Sequence, residues 1–301
     1  MPPRTQLSLF EPEPATAPRE PSVRPAPAPD ELHALARRLP PRVYLGTSSW
    51  SFPGWEGLVY ARAYPKPSLA REGLRAYAQA PLLNAVGLDR SFYGPLDAET
   101  LADYAAAVPE GFRFLAKAHE VLTLARFPRH RRYGEHRGKD NPQWLDAAYA
   151  RDRVVQPFVE GLGAKAGVLL FQLSPQDEEA LGGRRGFPEQ LHRFLTALPV
   201  GPCYAVELRN HKLVNPAYAE ALRDAKALHC VSVHPRMPDV RTQARQVAAL
   251  DGPGLVVRWM LTPRMSYEVA KKYYHPFDTL VDPDPIAREG IDRKSTRLNS
   301  S

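Results

Sequence analysis

The sequence predicts an α/β fold of the TIM-type (β/α) barrel class, interrupted before its eighth strand. Short, nearly continuous apolar runs alternate with amphipathic helical stretches bounded by Pro, Gly, Asp or Asn, the pattern of a parallel sheet covered by helices. Seven such units in roughly 250 residues suit a barrel better than an open doubly wound sheet. No glycine-rich dinucleotide fingerprint follows the first strand, where "GTSSWSFPGW" stands instead.

The first thirty residues hold nine prolines, among them the alternating "RPAPAP", and read as an extended, mobile tether. A short helix is expected from Asp30 as N-cap through "ELHALARRL" to the stop at Pro40 and Pro41. Residues 1–40 are thus expected to be a disordered Pro-rich tail with one short helix, and residues 42–293 the barrel. Its strands read "VYLGTSSW" from Val43, "NAVGLD" from Asn84, "FRFLAKAH" from Phe112, "AGVLLFQLS" from Ala166, "CYAVELRN" from Cys203, "HCVSVHP" from His229 and "GLVVRWML" from Gly254. The helices read "SLAREGLRAYAQ", "DAETLADYAAAV", "QWLDAAYARDRVVQPFVEGLG", "PEQLHRFLTAL", "PAYAEALRDA" and "DVRTQARQVAAL". Residues 294–301 lose the apolar rhythm and read as a non-native scar. The expectation is a truncated barrel with two open edges, poorly soluble and weakly active.

At 301 residues and 44% hydrophobic content the chain has the composition of a globular enzyme rather than a fibrous or wholly disordered protein. Its apolar runs are too short to span a bilayer and its N-terminus lacks a secretory core, so no membrane partner and a cytoplasmic location are expected. Cys203 and Cys230 match no metal or redox spacing and are expected to be reduced and buried. The formal charge is +7, while residues 1–30 carry three Arg against three Glu and one Asp, so the basic excess lies in the remainder. Without Lys294 and Arg297 it is still +5, 38 basic against 33 acidic residues. Such a balance suits an anionic partner, either nucleic acid or a phosphorylated small molecule.

Strand parity then asks which face each polar residue occupies. Val206 and Leu208 share one face of the fifth strand, leaving Glu207 and Arg209 on the other; Phe112, Phe114 and Ala116 likewise leave Lys117 and His119 inside. Arg258 opposes Val257 and Trp259, and Asp89, Gln172 and His234 stand at the ends of strands two, four and six. Isolated buried charges cost several kcal/mol each, so this set should pair, bind a charged ligand, or both. A structural ion-pair plug is the bland alternative to a site at the barrel mouth. Glu207 and Asp89 suit proton transfer, the cations suit an anionic substrate, and Lys117 suits either Schiff-base chemistry or an anion clamp. Between Arg126 and Lys139 the loop after strand three holds six Arg or Lys and one Glu, with His130, Tyr133 and His136 interleaved; it reads as a solvated loop, a phosphate-gripping lid or a nucleic-acid contact. No cofactor is expected; a divalent metal on His119, His234, Asp89 and Glu207 would lack any local ligand motif.

At "YLGTSSWSFPGW", "RSFYGP", "GFRFLAKAHEVLT", "FQLSP" and "AVELRN" the chain resembles the YecE-like family, domain of unknown function 72, over residues 43 to about 292. The resemblance implies a β/α barrel and a site without an assigned reaction. It points to Thr47, Ser48 and Trp50, to Phe92 and Tyr93, to Lys117 and Gln172, and to the Glu207–Arg209 pair. Where the commoner pattern has a Glu and an Asn before the Phe-Tyr, this chain has Gly87 and Asp89, so Asp89 is the substitute carboxylate.

Ahead of all this stands Gln6-Leu7-Ser8-Leu9-Phe10, an apolar cluster in a segment that cannot bury it. The pentapeptide resembles the motif by which bacterial replication and repair proteins dock on the DNA polymerase sliding clamp, with Gln6 at the rim of the pocket and Leu7, Leu9 and Phe10 inside it. An apolar latch onto the chain's own barrel is the alternative. The reading is an enzyme of unknown reaction acting on a phosphate-bearing or nucleic-acid-derived substrate and recruited to DNA by the clamp. A non-catalytic nucleic-acid or protein adaptor and a metabolic barrel enzyme with an incidental tail are the competing readings.

Overall fold

A computed structural model of the chain describes residues 22–248, 253–260, 265–285 and 288–289. The clamp-like pentapeptide Gln6 to Phe10 and the 294–301 segment lie outside the described residues. Among the described residues seven strands form one parallel half-barrel sheet in sequential order: β1 (Gly46–Thr47), β2 (Ala85–Leu88), β3 (Arg113–Lys117), β4 (Ala166–Gln172), β5 (Cys203–Glu207), β6 (Leu228–Val233) and β7 (Val256–Trp259). Each falls on one of the apolar runs read from the sequence, because a parallel strand covered by helices needs apolar residues on consecutive positions.

The helices are α1 (Asp30–Arg38), α2 (Lys66–Tyr77), α3 (Ala98–Ala106), α4 (Ala147–Ala150), α5 (Gln156–Leu162), α6 (Gly183–Thr196), α7 (Pro216–Asp224), α8 (Val240–Gln246) and α9 (Tyr267–Tyr274). Asp97, Asn215 and Asp239 cap α3, α7 and α8 by accepting backbone N–H groups of the first turn. At α1 the expected cap is displaced by one residue: Pro29 takes the N-cap position, and Asp30 stands in the first turn, where its charge favours the helix dipole. The long helix expected over 143–163 is divided: α4 passes through a π turn at Arg151–Val155 into α5, just ahead of Pro157, which has no N–H to continue the regular ladder. The α6 helix starts five residues before the expected Pro188, and α9 has no counterpart among the expected helices.

Parity divides the sheet cleanly. Val86 and Leu88, Phe112 and Phe114, Leu169 and Phe171, and Val206 and Leu208 pack outward into the main core under the helices. On the inner face Leu170, Ala205, Cys230 and Val256 form a smaller cluster with Leu115, Val168 and Leu228. Each fully buried Phe or Leu contributes about 2 kcal/mol. The polar residues next along the inner face therefore lie beyond an apolar floor, at the carboxyl ends of the strands.

Two expectations are corrected. The chain is already fixed from Ser22, since Val23 is buried, Ala26 N–H donates to Val59 O at 2.9 Å, and Ala61 N–H donates to Arg24 O at 3.0 Å. Within the span 1–40 read as a tail, residues 22–26 are therefore docked on the fold. Cys203 is exposed rather than buried, because it opens β5 at the amino end of the sheet; Cys230 is buried as expected. At the two sheet edges Tyr44, Leu45 and Trp259 are exposed.

Candidate functional site

The inner polar residues meet at the strand ends. On β5, Glu207 is completely buried and its two carboxylate oxygens are divided between two arginines: Arg258 Nη1 donates to Oε2 at 2.5 Å, and Arg209 Nε donates to Oε1 at 3.0 Å. The same Arg258 nitrogen donates to Gln172 Oε1 at 2.8 Å, so β4, β5 and β7 are tied together. Burial pushes the Glu207 pKa up, but the two guanidinium groups outweigh it and hold the carboxyl below its usual range. Arg258 stays cationic, because Glu207 outweighs its own desolvation.

On β3 and at the end of β2 stands a second pair. Lys117 is buried and its Nζ lies 2.8 Å from Asp89 Oδ1 and 5.5 Å from the Phe92 ring centroid. Burial, joined by repulsion from Arg258, lowers the Lys117 pKa; Asp89 and Glu207 oppose this only in part. Because Arg258 and Glu207 act on Lys117 in this way, the two pairs share one electrostatic field. Ser91 fixes the backbone around the lysine, its hydroxyl lying 2.6 Å from Leu88 O and 2.7 Å from Lys117 O and sharing its one proton between them.

His234, just past β6, belongs to the same field. Burial first, then Arg209, brings its pKa down to about 4, so its ring is neutral at physiological pH. Its Nδ1 accepts from Arg236 N–H at 3.1 Å. Outside the Glu207 network a cleft of about 500 Å³ opens, lined by Arg209, Lys212, Arg236, Asn210, His211 and Glu178. Arg209 therefore faces both ways, holding Glu207 on one side and lining the cleft on the other. Lys212 lies 3.7 Å from Glu178, at the outer part of that wall.

Other residues singled out in the sequence are placed elsewhere. Thr47 is tied to Tyr77, its N–H donating to the phenol at 3.0 Å and its hydroxyl to Ser49 O at 2.8 Å. Trp50 is buried, donates its indole N–H to Leu69 O at 3.0 Å and stands edge-on to Tyr104. Both build the scaffold behind the first strand. Ser48 is exposed, and its backbone runs so close to Gly87 that a Cβ there would sit 3.1 Å from Ser48 Cα. The glycine that stands in place of the Glu of the commoner pattern thus fits a tight β1–β2 approach. Phe92 is buried under Lys117, whereas Tyr93 is 67% exposed. His119 does not join the inner set: β3 ends at Lys117, and the His119 ring turns to Tyr149, with Nδ1 2.7 Å from the phenol oxygen. Burial lowers its pKa.

Sequence reasoning missed Glu120. It is buried directly after His119, accepts from Arg132 Nη2 at 2.6 Å and from the Tyr133 hydroxyl at 3.0 Å, and so anchors the basic loop. The signal in the sequence is a carboxylate opening the apolar run "EVLTLA", which needs a partner once buried. Among the described residues no group of three or more His, Cys, Asp or Glu is placed to hold a metal ion, and no helix is long and apolar enough to cross a membrane.

Comparison with known families decides the relationship: residues 44–282 match the model described as protein of unknown function DUF72. The chain belongs to the DUF72 family. A crystal structure of a DUF72 family protein from Thermotoga maritima is similar at 19% identity and a TM-score of 0.46, covering 84% of this chain and 88% of that one. A DUF72 family protein from Enterococcus faecalis is similar at 15% identity and a TM-score of 0.41, covering 86% of this chain and 98% of that one. No curated protein matches.

Proposed function

We propose that this DUF72 chain is an enzyme whose reactive centre is the Lys117–Asp89 pair and whose substrate carries a phosphate or comparable anion, nucleic-acid-derived compounds included. The observation that carries the reading is a buried lysine 2.8 Å from a carboxylate, in one field with two arginines that share a single buried Glu207. Its seven strands are those of a TIM-type barrel; their sequential parallel order supports this, and barrels of that type gather reactive groups at the carboxyl ends of the strands.

The division of labour follows from the environments. Lys117, with a lowered pKa, holds more neutral amine near physiological pH than a surface lysine and can accept a proton. Asp89 is half-buried and in contact with that amine, so it can pass the proton to solvent. Glu207 is saturated by two guanidinium groups, which suits a fixed anion positioning Arg258 and Arg209 better than a proton acceptor. Arg209, Lys212 and Arg236 give the cleft the charge to hold the anionic end of a substrate. Recruitment to DNA through Gln6, Leu7, Leu9 and Phe10 on the sliding clamp completes the proposal and rests on the sequence motif alone. A labelled peptide carrying that motif should bind purified clamp and lose binding when Leu9 and Phe10 become Ala.

A turnover screen against phosphorylated metabolites and nucleotides tests the enzymatic reading. Lys117→Met should lower kcat by about 10²- to 10⁴-fold, while Arg209→Gln should act mainly on KM. A substrate turned over equally well by the Lys117→Met protein would remove Lys117 from the chemistry.

A further inference from the structure

The loop that Glu120 anchors has no part in the lysine chemistry, yet its construction is specific. Phe127 N–H donates to Lys139 O and Gly138 N–H to Phe127 O, both at 2.9 Å, closing the loop on itself. Asn141 pins its base by donating to Val121 O and Leu124 O, both at 2.6 Å. Arg126 pairs with Asp140 at 2.8 Å, and Arg132 pairs with Glu120. With those two arginines neutralised, Arg129, Arg131, Arg137 and Lys139 remain exposed, and among the described residues none of the four has a carboxylate partner. Glu135 is the loop's one acidic residue against them. A cluster of four exposed cations held on a fixed frame repels itself and is stabilised by a polyanion.

An aromatic surface adjoins the charge. Tyr93, which closes the short helical turn Arg90–Phe92 after β2, is 67% exposed, and the Arg132 guanidinium lies over it at 5.4 Å from the centroid. Arg132 also lies 4.6 Å from the Tyr133 centroid, so the guanidinium links the loop to the exposed ring. Burial and Glu120 push the Tyr133 hydroxyl up to about 12, leaving it a neutral donor to that carboxylate.

We infer that the loop 126–139 together with Tyr93 forms a binding surface for single-stranded nucleic acid, the exposed cations tracking phosphates and Tyr93 stacking on an unpaired base. The cations alone would serve any polyanion. The exposed ring beside them selects single strands, because a base inside a duplex has no free face for a side chain to stack on. The frame is already closed by its own hydrogen bonds, so binding does not have to order it. The inference concerns docking alone and does not depend on any step at Lys117.

The test is fluorescence anisotropy of the full chain with a labelled oligothymidine and with a duplex of equal length, each titrated with salt. Binding tighter to the single strand is expected, with log affinity falling linearly against log salt. Changing Arg129, Arg131, Arg137 and Lys139 to Gln should reduce that slope by about 2.8, about 0.7 for each phosphate no longer neutralised. Tyr93→Ala should weaken binding about tenfold, and Glu135→Lys should tighten it. A control with Arg37, Arg38, Arg71 and Arg75 changed to Gln removes equal charge elsewhere and should leave the slope unchanged; melting curves report that each variant is folded. Absence of binding at low salt, a duplex held as tightly as the single strand, or an equal loss from the control would each overturn the inference. None of these outcomes bears on turnover by Lys117, so the two readings fail separately.

Discussion

Glu207 is the residue on which the inner face depends. A carboxylate with no solvent exposure is tolerable only because both its oxygens are occupied by guanidinium groups, and those arginines in turn are held beside a lysine only because the carboxylate is there. Glu207→Ala should therefore destabilise the fold by about 3–5 kcal/mol in urea unfolding, by leaving Arg258 and Arg209 uncompensated. A loss well below 1 kcal/mol would mean that solvent already reaches the network. A Cβ at Gly46 would lie 2.1 Å from Ala85 O, so Gly46→Ala should loosen β1 and lower the melting temperature. At this scale the sequence is legible as far as strand parity reaches. Asp89, Lys117, Gln172, Glu207 and Arg258 lie on the inner face where a period of two puts them. Parity fails at His119 because the strand ends two residues earlier, and it says nothing about Thr47 or Trp50, whose polar atoms are taken by Tyr77, Ser49 and Leu69.

Among the elements, the basic loop depends on one carboxylate from outside it. Glu120→Ala should release Arg132 and Tyr133 and speed limited tryptic cleavage at Arg129 and Arg131, with little change in global melting. Unchanged cleavage would show that the backbone bonds at Phe127 and Asn141 suffice. All seven strands are legible, because a run of apolar β-formers bounded by turn residues has few other solutions in a chain of this length. Helix boundaries are less so. The α6 helix begins in "GRRG", where nothing apolar marks the start, and the π turn depends on Pro157 acting within a helix that otherwise reads as continuous. The docking of residues 22–26 is hidden because Val23 is a single apolar residue among prolines, and the bridge of Pro25 to Tyr60 and the Arg24 N–H bond to the Tyr64 hydroxyl form only in the folded chain.

In the whole molecule the buried histidine sets an acid limit. His229 on β6, bonded through Nδ1 to the Tyr218 hydroxyl at 2.9 Å, has its pKa brought from 6.5 down to about 4 by burial. The unfolded chain then takes up a proton that the folded chain refuses, so this group's contribution is constant above 6.5 and stability falls as pH drops from 6.5 toward 4. The slope for this one group approaches about 1.4 kcal/mol per pH unit. His229→Gln should reduce the slope of that part of the stability profile, measured by denaturant unfolding, by one group's share, His234 and His119 supplying the remainder; an unchanged slope would assign the acid sensitivity to those other groups.

At the centre of the proposed chemistry stands Lys117, buried on the sheet beside Asp89 and proposed as its acid–base group. The most direct measurement is an NMR titration of the lysine side chains in the folded protein labelled at Cε, with Lys117 assigned by its loss in Lys117→Met. One resonance should titrate below the exposed lysines, and lower still in Asp89→Asn, where the carboxylate that favours the ammonium is gone. A Lys117 that titrates together with the surface lysines and ignores the Asp89 change would contradict that role.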